Sequence, residues 1–130
     1  MTPEIDDYLR TANRCLDDAR ALRLSLPRIA ARESYLAVYH AAEAYLLYST
    51  GKIAKTHSGL RAEFSRLAKD DPRIDRELVS FLAQAYELKS VADYGTDSAG
   101  EITLQDAEQA FQTAVRFVSL IAGLVALPRT

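Results

Sequence analysis

Residues 34–60 read SYLAVYHAAEAYLLYSTGKIAKTHSGL, and the fold follows from that stretch. Tyr35, Tyr39, Ala42 and Leu46 recur at the i, i+4, i+7, i+11 spacing of one buried helical face. Val38 and Tyr45 widen that face. The alanines at positions 37, 41, 42 and 44 add no bulk, so neighbouring helices can approach closely. A helix that is apolar and small on most sides belongs in the middle of a bundle. Gly51 is placed to end it with a left-handed residue. Thr56 then caps a following helix whose first turn holds His57, Ser58 and Gly59. The free N–H groups of such a turn, next to Lys55, suit an anion.

Four more helices are read outward from this stretch. Helix one starts at Thr2 or Pro3, with Thr2 as cap and Glu4, Asp6 and Asp7 at the positive end of the dipole. Tyr8, Cys15, Ala19, Leu22 and Leu26 are its expected inward stripe, with Ala12 beside it. Pro27 should end it, because the residue before a proline resists the helical region. Helix two then runs from Arg28 or Ile29 to Thr50. Helix three covers Thr56 to Ala68, with Leu60, Phe64 and Leu67 inward. Asp71 is expected to cap helix four at Pro72, and that helix to run to Asp93 on a core face of Ile74, Leu78, Phe81, Leu82, Ala85, Leu88 and Ala92. Gly95 is expected to stop it, and 95–102 is the most turn-like segment of the chain. Thr103 caps helix five, whose inner stripe is Leu104, Ala107, Phe111, Ala114, Phe117, Val118, Ile121 and Val125. There is no strand signal, so the chain predicts an all-α, antiparallel up-and-down bundle of four to five helices in one domain over 1–130, with helices two and four central.

Composition narrows the function classes. Against 16 basic residues stand 18 acidic ones, so no global charge argues for nucleic acid, although a local patch can still bind RNA. The single cysteine, Cys15, rules out an internal disulfide and suits a reducing cytoplasm. No His/Cys constellation has zinc spacing, no Gly-rich phosphate loop is present, and no cofactor is implied. The acidic, polar N-terminus does not read as a secretory signal. The nearly apolar run Phe117 to Leu127 is too short to span a bilayer, which takes about 20 residues. It reads as a helix end buried in the bundle or against a second subunit. The expected protein is cytoplasmic, with no membrane and no DNA partner.

Two motifs carry a resemblance. Tyr35-Leu-Ala-Val-Tyr39-His40-Ala-Ala-Glu-Ala-Tyr45-Leu-Leu, followed by a glycine and Lys55-Thr56-His57-Ser58-Gly59, resembles the second and third helices of the HEPN superfamily. Tyr86-Glu87-Leu88-Lys89-Ser-Val-Ala92-Asp93-Tyr94-Gly95 resembles the helix-four ending of its small stand-alone prokaryotic branch. The likeness covers residues 5 to 122. It implies a bundle that dimerises around a cleft, with RNA or a nucleotide as ligand. It also implies a minimal nucleotidyltransferase as partner, in a toxin–antitoxin pair, or else a metal-independent ribonuclease using Arg-x4-6-His. This chain departs from that last pattern. Arg32 and His40 have seven residues between them, and where the motif is expected stand Lys89 and Tyr94. A lysine holds phosphate as a point charge without arginine's fork, and a tyrosine is a poor base near neutral pH.

The expected site residues follow. His57 is the candidate base and Lys89 the phosphate holder, with Lys55, Thr56, Ser58, Tyr86 and Asp93 as RNA or nucleotide contacts. Tyr86, Lys89 and Asp93 share one helical face at i, i+3, i+7. His40, mid-helix among core residues, reads as a packed and hydrogen-bonded histidine. The resemblance implies that a partner can silence the site by adding adenylate to a nearby tyrosine, and Tyr94 matches by position. A non-catalytic structural or nucleotide-binding helper fits the composition equally well. Homodimerisation is expected because the tyrosine- and alanine-rich faces exceed what five helices need.

Overall fold

The computed structural model describes residues 2–94 and 102–128. Five helices are found among the described residues: α1 (Pro3–Leu22), α2 (Pro27–Thr50), α3 (His57–Ala68), α4 (Arg76–Tyr94) and α5 (Leu104–Val125). Their ends are set by local chemistry. The Thr2 hydroxyl accepts from the Ile5 N–H at 3.3 Å, with Pro3 in the first turn. Gly51 closes α2 at φ 74°, its N–H donating to the Leu47 carbonyl at 2.9 Å. Thr103 and Asp106 exchange side-chain and backbone hydrogen bonds in a capping box at the start of α5.

Three boundaries differ from expectation. α1 stops at Leu22, five residues before the proline, and Pro27 opens α2 instead of ending α1. A missing N–H does no harm in a first turn, so proline fits there. α4 begins at Arg76, not at Pro72. The Asp71 carboxylate is engaged elsewhere: it receives the Arg73 N–H, the Arg73 guanidinium and the Tyr45 hydroxyl, at 2.8–3.0 Å. That tight turn carries Ile74 into the core without helix. Gly95 and its turn-like loop lie outside the described residues, except for Ile102, which is buried.

α2 is the hub. It packs most extensively on α1, then on α5 and α4, while α4 and α5 barely meet. α4 is therefore a flank and not a second centre. Ala37, Ala41, Ala42 and Ala44 are all fully buried, as are Tyr35 and Val38. Each missing side chain lets another helix close on the α2 backbone. Tyr45 meets Phe64 edge-on at 5.5 Å, and Phe64 meets Phe117 at 5.3 Å, tying α2, α3 and α5 together. The α1 stripe is Ile5, Leu9, Ala12, Cys15, Leu16 and Ala19; Tyr8 and Leu22 lie at its edge and Leu26 is exposed. Leu104 is exposed too, one residue past the Thr103 cap and ahead of the buried stripe. The alanines of α2 and its Tyr35 and Val38 are buried within one protomer. No helix among the described residues is long and apolar enough to cross a membrane.

Candidate functional site

Tyr35 and Tyr39 stand one turn apart on α2 and point the same way, which is the geometry of an i, i+4 pair. α3 begins directly over them. The Thr56 hydroxyl accepts the Gly59 N–H at 2.9 Å and so holds the first turn in place. That turn sets the His57 imidazole flat on the Tyr39 ring, centroids 4.0 Å apart and planes 17° apart. Its Nδ1 lies 3.0 Å from the Tyr35 hydroxyl. One ring face and one nitrogen are thus fixed by the core, while the residue as a whole stays exposed.

One turn along α3, the Arg61 guanidinium lies 3.6 Å from the centroid of the Tyr86 ring on α4. Its Nη1 is shut off from water. Tyr86 in turn meets Tyr35 edge-on at 5.5 Å. Lys89, one turn further along α4, donates to Asp93 at 2.8 Å, and Arg32 of α2 approaches the same carboxylate at 3.9 Å. Arg28 reaches the Ala92 carbonyl at 3.5 Å, at the negative end of α4. Three helices therefore bring Arg61, Lys89 and His57 to one aromatic-floored face.

The charges act on one another. Partial burial lowers the His57 pKa from its ordinary value, and the Lys89 and Arg61 charges lower it further, against Glu43. The imidazole is neutral near pH 7. Burial raises the Tyr35 hydroxyl, with Arg61 and Lys89 pulling it back, so it stays protonated. Lys89 is raised by its bond to Asp93 and stays charged. A neutral imidazole flanked by two fixed cations can receive an anion and can accept a proton from it.

Of the residues expected from sequence, His57, Tyr86, Lys89 and Asp93 come together here. Asp93 does so as the carboxylate that meets Lys89 at 2.8 Å and Arg32 at 3.9 Å. Thr56 spends its hydroxyl on the cap, with the Ser58 hydroxyl 3.4 Å away. Lys55 lines a groove of about 440 Å³ with Lys52, Ile53, Gly59 and Arg66. Tyr94 ends α4 at 79% exposure, its ring centroid 6.0 Å from Lys89 Nζ. His40 is partly buried and bonded to Glu43 at 2.6 Å. Arg61, Tyr35 and Tyr39 are the site residues that sequence reasoning missed. Arg61 stands four residues after His57, a spacing that puts both on one face. The tyrosines read as core, and they are core that also carries the imidazole. Among the described residues no three His, Cys, Asp or Glu side chains group closely enough to hold a metal ion.

The chain was compared with known proteins. The sequence profile of the HEPN domain matches residues 5–124. A UPF0332 protein of Thermotoga maritima is 33% identical over 93 residues, which span 70% of this chain and 69% of the relative. A UPF0332 protein of Gloeobacter violaceus is 29% identical over 127 residues, 97% of this chain and 99% of that protein. Neither name states an activity.

Proposed function

The chain belongs to the HEPN family, and from that premise we propose that it binds RNA or a nucleotide through phosphate on the His57–Arg61–Lys89 face, acting with a minimal nucleotidyltransferase as partner. One observation carries the binding reading: the Arg61 guanidinium, held over the Tyr86 ring, stands with a neutral imidazole and a lysine on a rigid aromatic floor. Arginine gives the fork geometry that Lys89 lacks, and so supplies from α3 what the family pattern expects from α4. Phosphate contacts of this kind fix a backbone without reading its sequence. Anisotropy of a labelled oligoribonucleotide tests it. Arg61→Ala and Lys89→Ala should each weaken binding and flatten its salt dependence. Unchanged affinity in both variants removes the site.

Metal-independent cleavage is the second reading, favoured by the fixed and neutral His57. His57 takes the proton of the RNA 2′-hydroxyl, whose oxygen bonds to the adjacent phosphorus. The phosphorus–O5′ bond breaks, leaving a cyclic phosphate and a 5′-oxygen that takes a proton from solvent. Purified protein should then degrade RNA in EDTA, and His57→Ala should stop it.

The partner belongs to the reading through the family, and Tyr94 supports it. Its hydroxyl is open to a transferred adenylate, which would set a bulky anion beside Lys89. Intact mass after incubation with a minimal nucleotidyltransferase and ATP tests this; an adduct that persists in Tyr94→Phe excludes Tyr94. Growth on expression of the chain with and without such a nucleotidyltransferase tests the toxin–antitoxin role. The homodimer also rests on the family. Leu24, Leu26, Val91 and Leu104, exposed at the end of the bundle where α1 ends and α5 starts, are apolar surface open to it. Only monomer by light scattering at micromolar concentration would exclude it.

A further inference from the structure

We infer that Tyr94 is a base-stacking platform, so that the site takes an unpaired nucleotide in preference to a duplex. The inference rests on the phosphate-binding reading above and adds what that reading lacks, a place for the base. The other rings of the site have no face to offer. Tyr35 is fully buried. Tyr39 is 8% exposed and carries His57 on its face at 4.0 Å. Tyr86 carries the Arg61 guanidinium at 3.6 Å and turns its edge to Tyr35. These rings position cations and imidazole; they do not receive bases.

Tyr94 is different on every count. It is 79% exposed, and no other aromatic ring among the described residues lies against it. The Lys89 ammonium lies over its face, 6.0 Å from the centroid. A lone exposed tyrosine at a helix end is ordinary surface. This one stands beside a cation of the proposed phosphate site, at a separation comparable to the reach of one nucleotide from phosphate to base. A phosphate at Lys89 and Arg61 leaves its own base over the Tyr94 ring. Stacking of that kind accepts any base, because every base has a π-face. It requires that the base be free. In a duplex both faces are covered by neighbours and the edges are paired, so only the backbone can be held.

The test uses the whole protein and two labelled probes, a short oligouridylate and the same strand annealed to oligoadenylate. Bases of oligouridylate stack poorly on one another and are free to stack elsewhere. Wild type should prefer the single strand. Tyr94→Ala should lose about tenfold in affinity for the single strand and little for the duplex. Tyr94→Phe should bind like wild type, because the ring and not the hydroxyl makes the contact. The exposed position makes both variants safe for folding, checked by circular dichroism. The inference is overturned if Tyr94→Ala binds the single strand like wild type, if it loses equally on both probes, or if Tyr94→Phe is as weak as Tyr94→Ala. Lys89→Ala separates the two levels. If it weakens binding to both probes while Tyr94→Ala does nothing, phosphate binding stands and the platform falls. If wild type binds neither probe, both fall together.

Discussion

His57 concentrates the chemistry of the chain in one imidazole. Tyr39 covers one face, the Tyr35 hydroxyl meets Nδ1, and two cations act on it from α3 and α4. A depressed pKa has a definite sign. In the interval below the ordinary value of 6.5 and above the folded value, the unfolded chain binds a proton that the folded chain does not. His57 therefore makes the fold less stable as pH falls through that interval. Titration of the imidazole by NMR should give a midpoint below 6.5, and Lys89→Ala should move it upward by removing a charge that opposes protonation. A midpoint unmoved in Lys89→Ala would mean that the two groups do not sense each other. Cys15, by contrast, is inert: burial and then Glu33 push its thiol up to about 11.

A helix end sets His57 in its place in the site. The cap is Thr56, whose hydroxyl fixes the turn that carries His57. Thr56→Ala should cost about 1 kcal/mol in urea denaturation. A Cβ on Gly59 would lie 2.8 Å from that hydroxyl, so Gly59→Ala should lose the cap as well, by a steric route. Both variants should weaken RNA binding, since the first turn is then free to shift. The turn before α4 carries a second device. Arg73, through its guanidinium and its N–H, and then the Tyr45 hydroxyl hold the Asp71 carboxyl well below its ordinary value of 3.8. Burial and Asp71 push Tyr45 up to about 12. A depressed carboxyl stabilises the fold above its unfolded pKa and loses that contribution as pH falls below it. Asp71→Asn should cost about 1–2 kcal/mol near neutral pH, given that Arg73 is half exposed, and the gap should close toward about pH 2. A gap that persists in acid would assign the loss to packing. Capping signals were legible at Thr2, Gly51, Thr56 and Thr103, where the residue type states its own role. They were illegible at Asp71, because aspartate before proline has the pattern of a cap, whereas here Arg73 and a tyrosine 26 residues earlier take up its carboxylate. The i, i+4 spacing of His57 and Arg61 was present in the sequence, but nothing in one helix shows that another will bring Tyr86 beneath the arginine.

On the scale of the molecule, α2 touches α1, α3, α4 and α5, and its alanines are what permit it. Ala41→Leu should destabilise the protein by about 1–3 kcal/mol through overpacking, read by thermal or urea unfolding. An exposed control such as Ala83→Leu should be nearly neutral. The all-helical bundle and the place of α2 were legible because small and apolar residues on all sides leave a helix nowhere to go but the middle. The flanking position of α4 was not, because its apolar face is equally good against one neighbour or two. Time gives the hub a further meaning. During synthesis α1 and α2 are complete at Thr50, long before α5 is made. At about 5–20 residues per second, the flank of α2 reserved for α5 stays bare for on the order of four to fifteen seconds. Leucines there would offer every passing chain a surface to adhere to. The buried alanines of α2 offer less, so the residues that let the finished helices close together also lessen what the nascent chain exposes while it waits for α5.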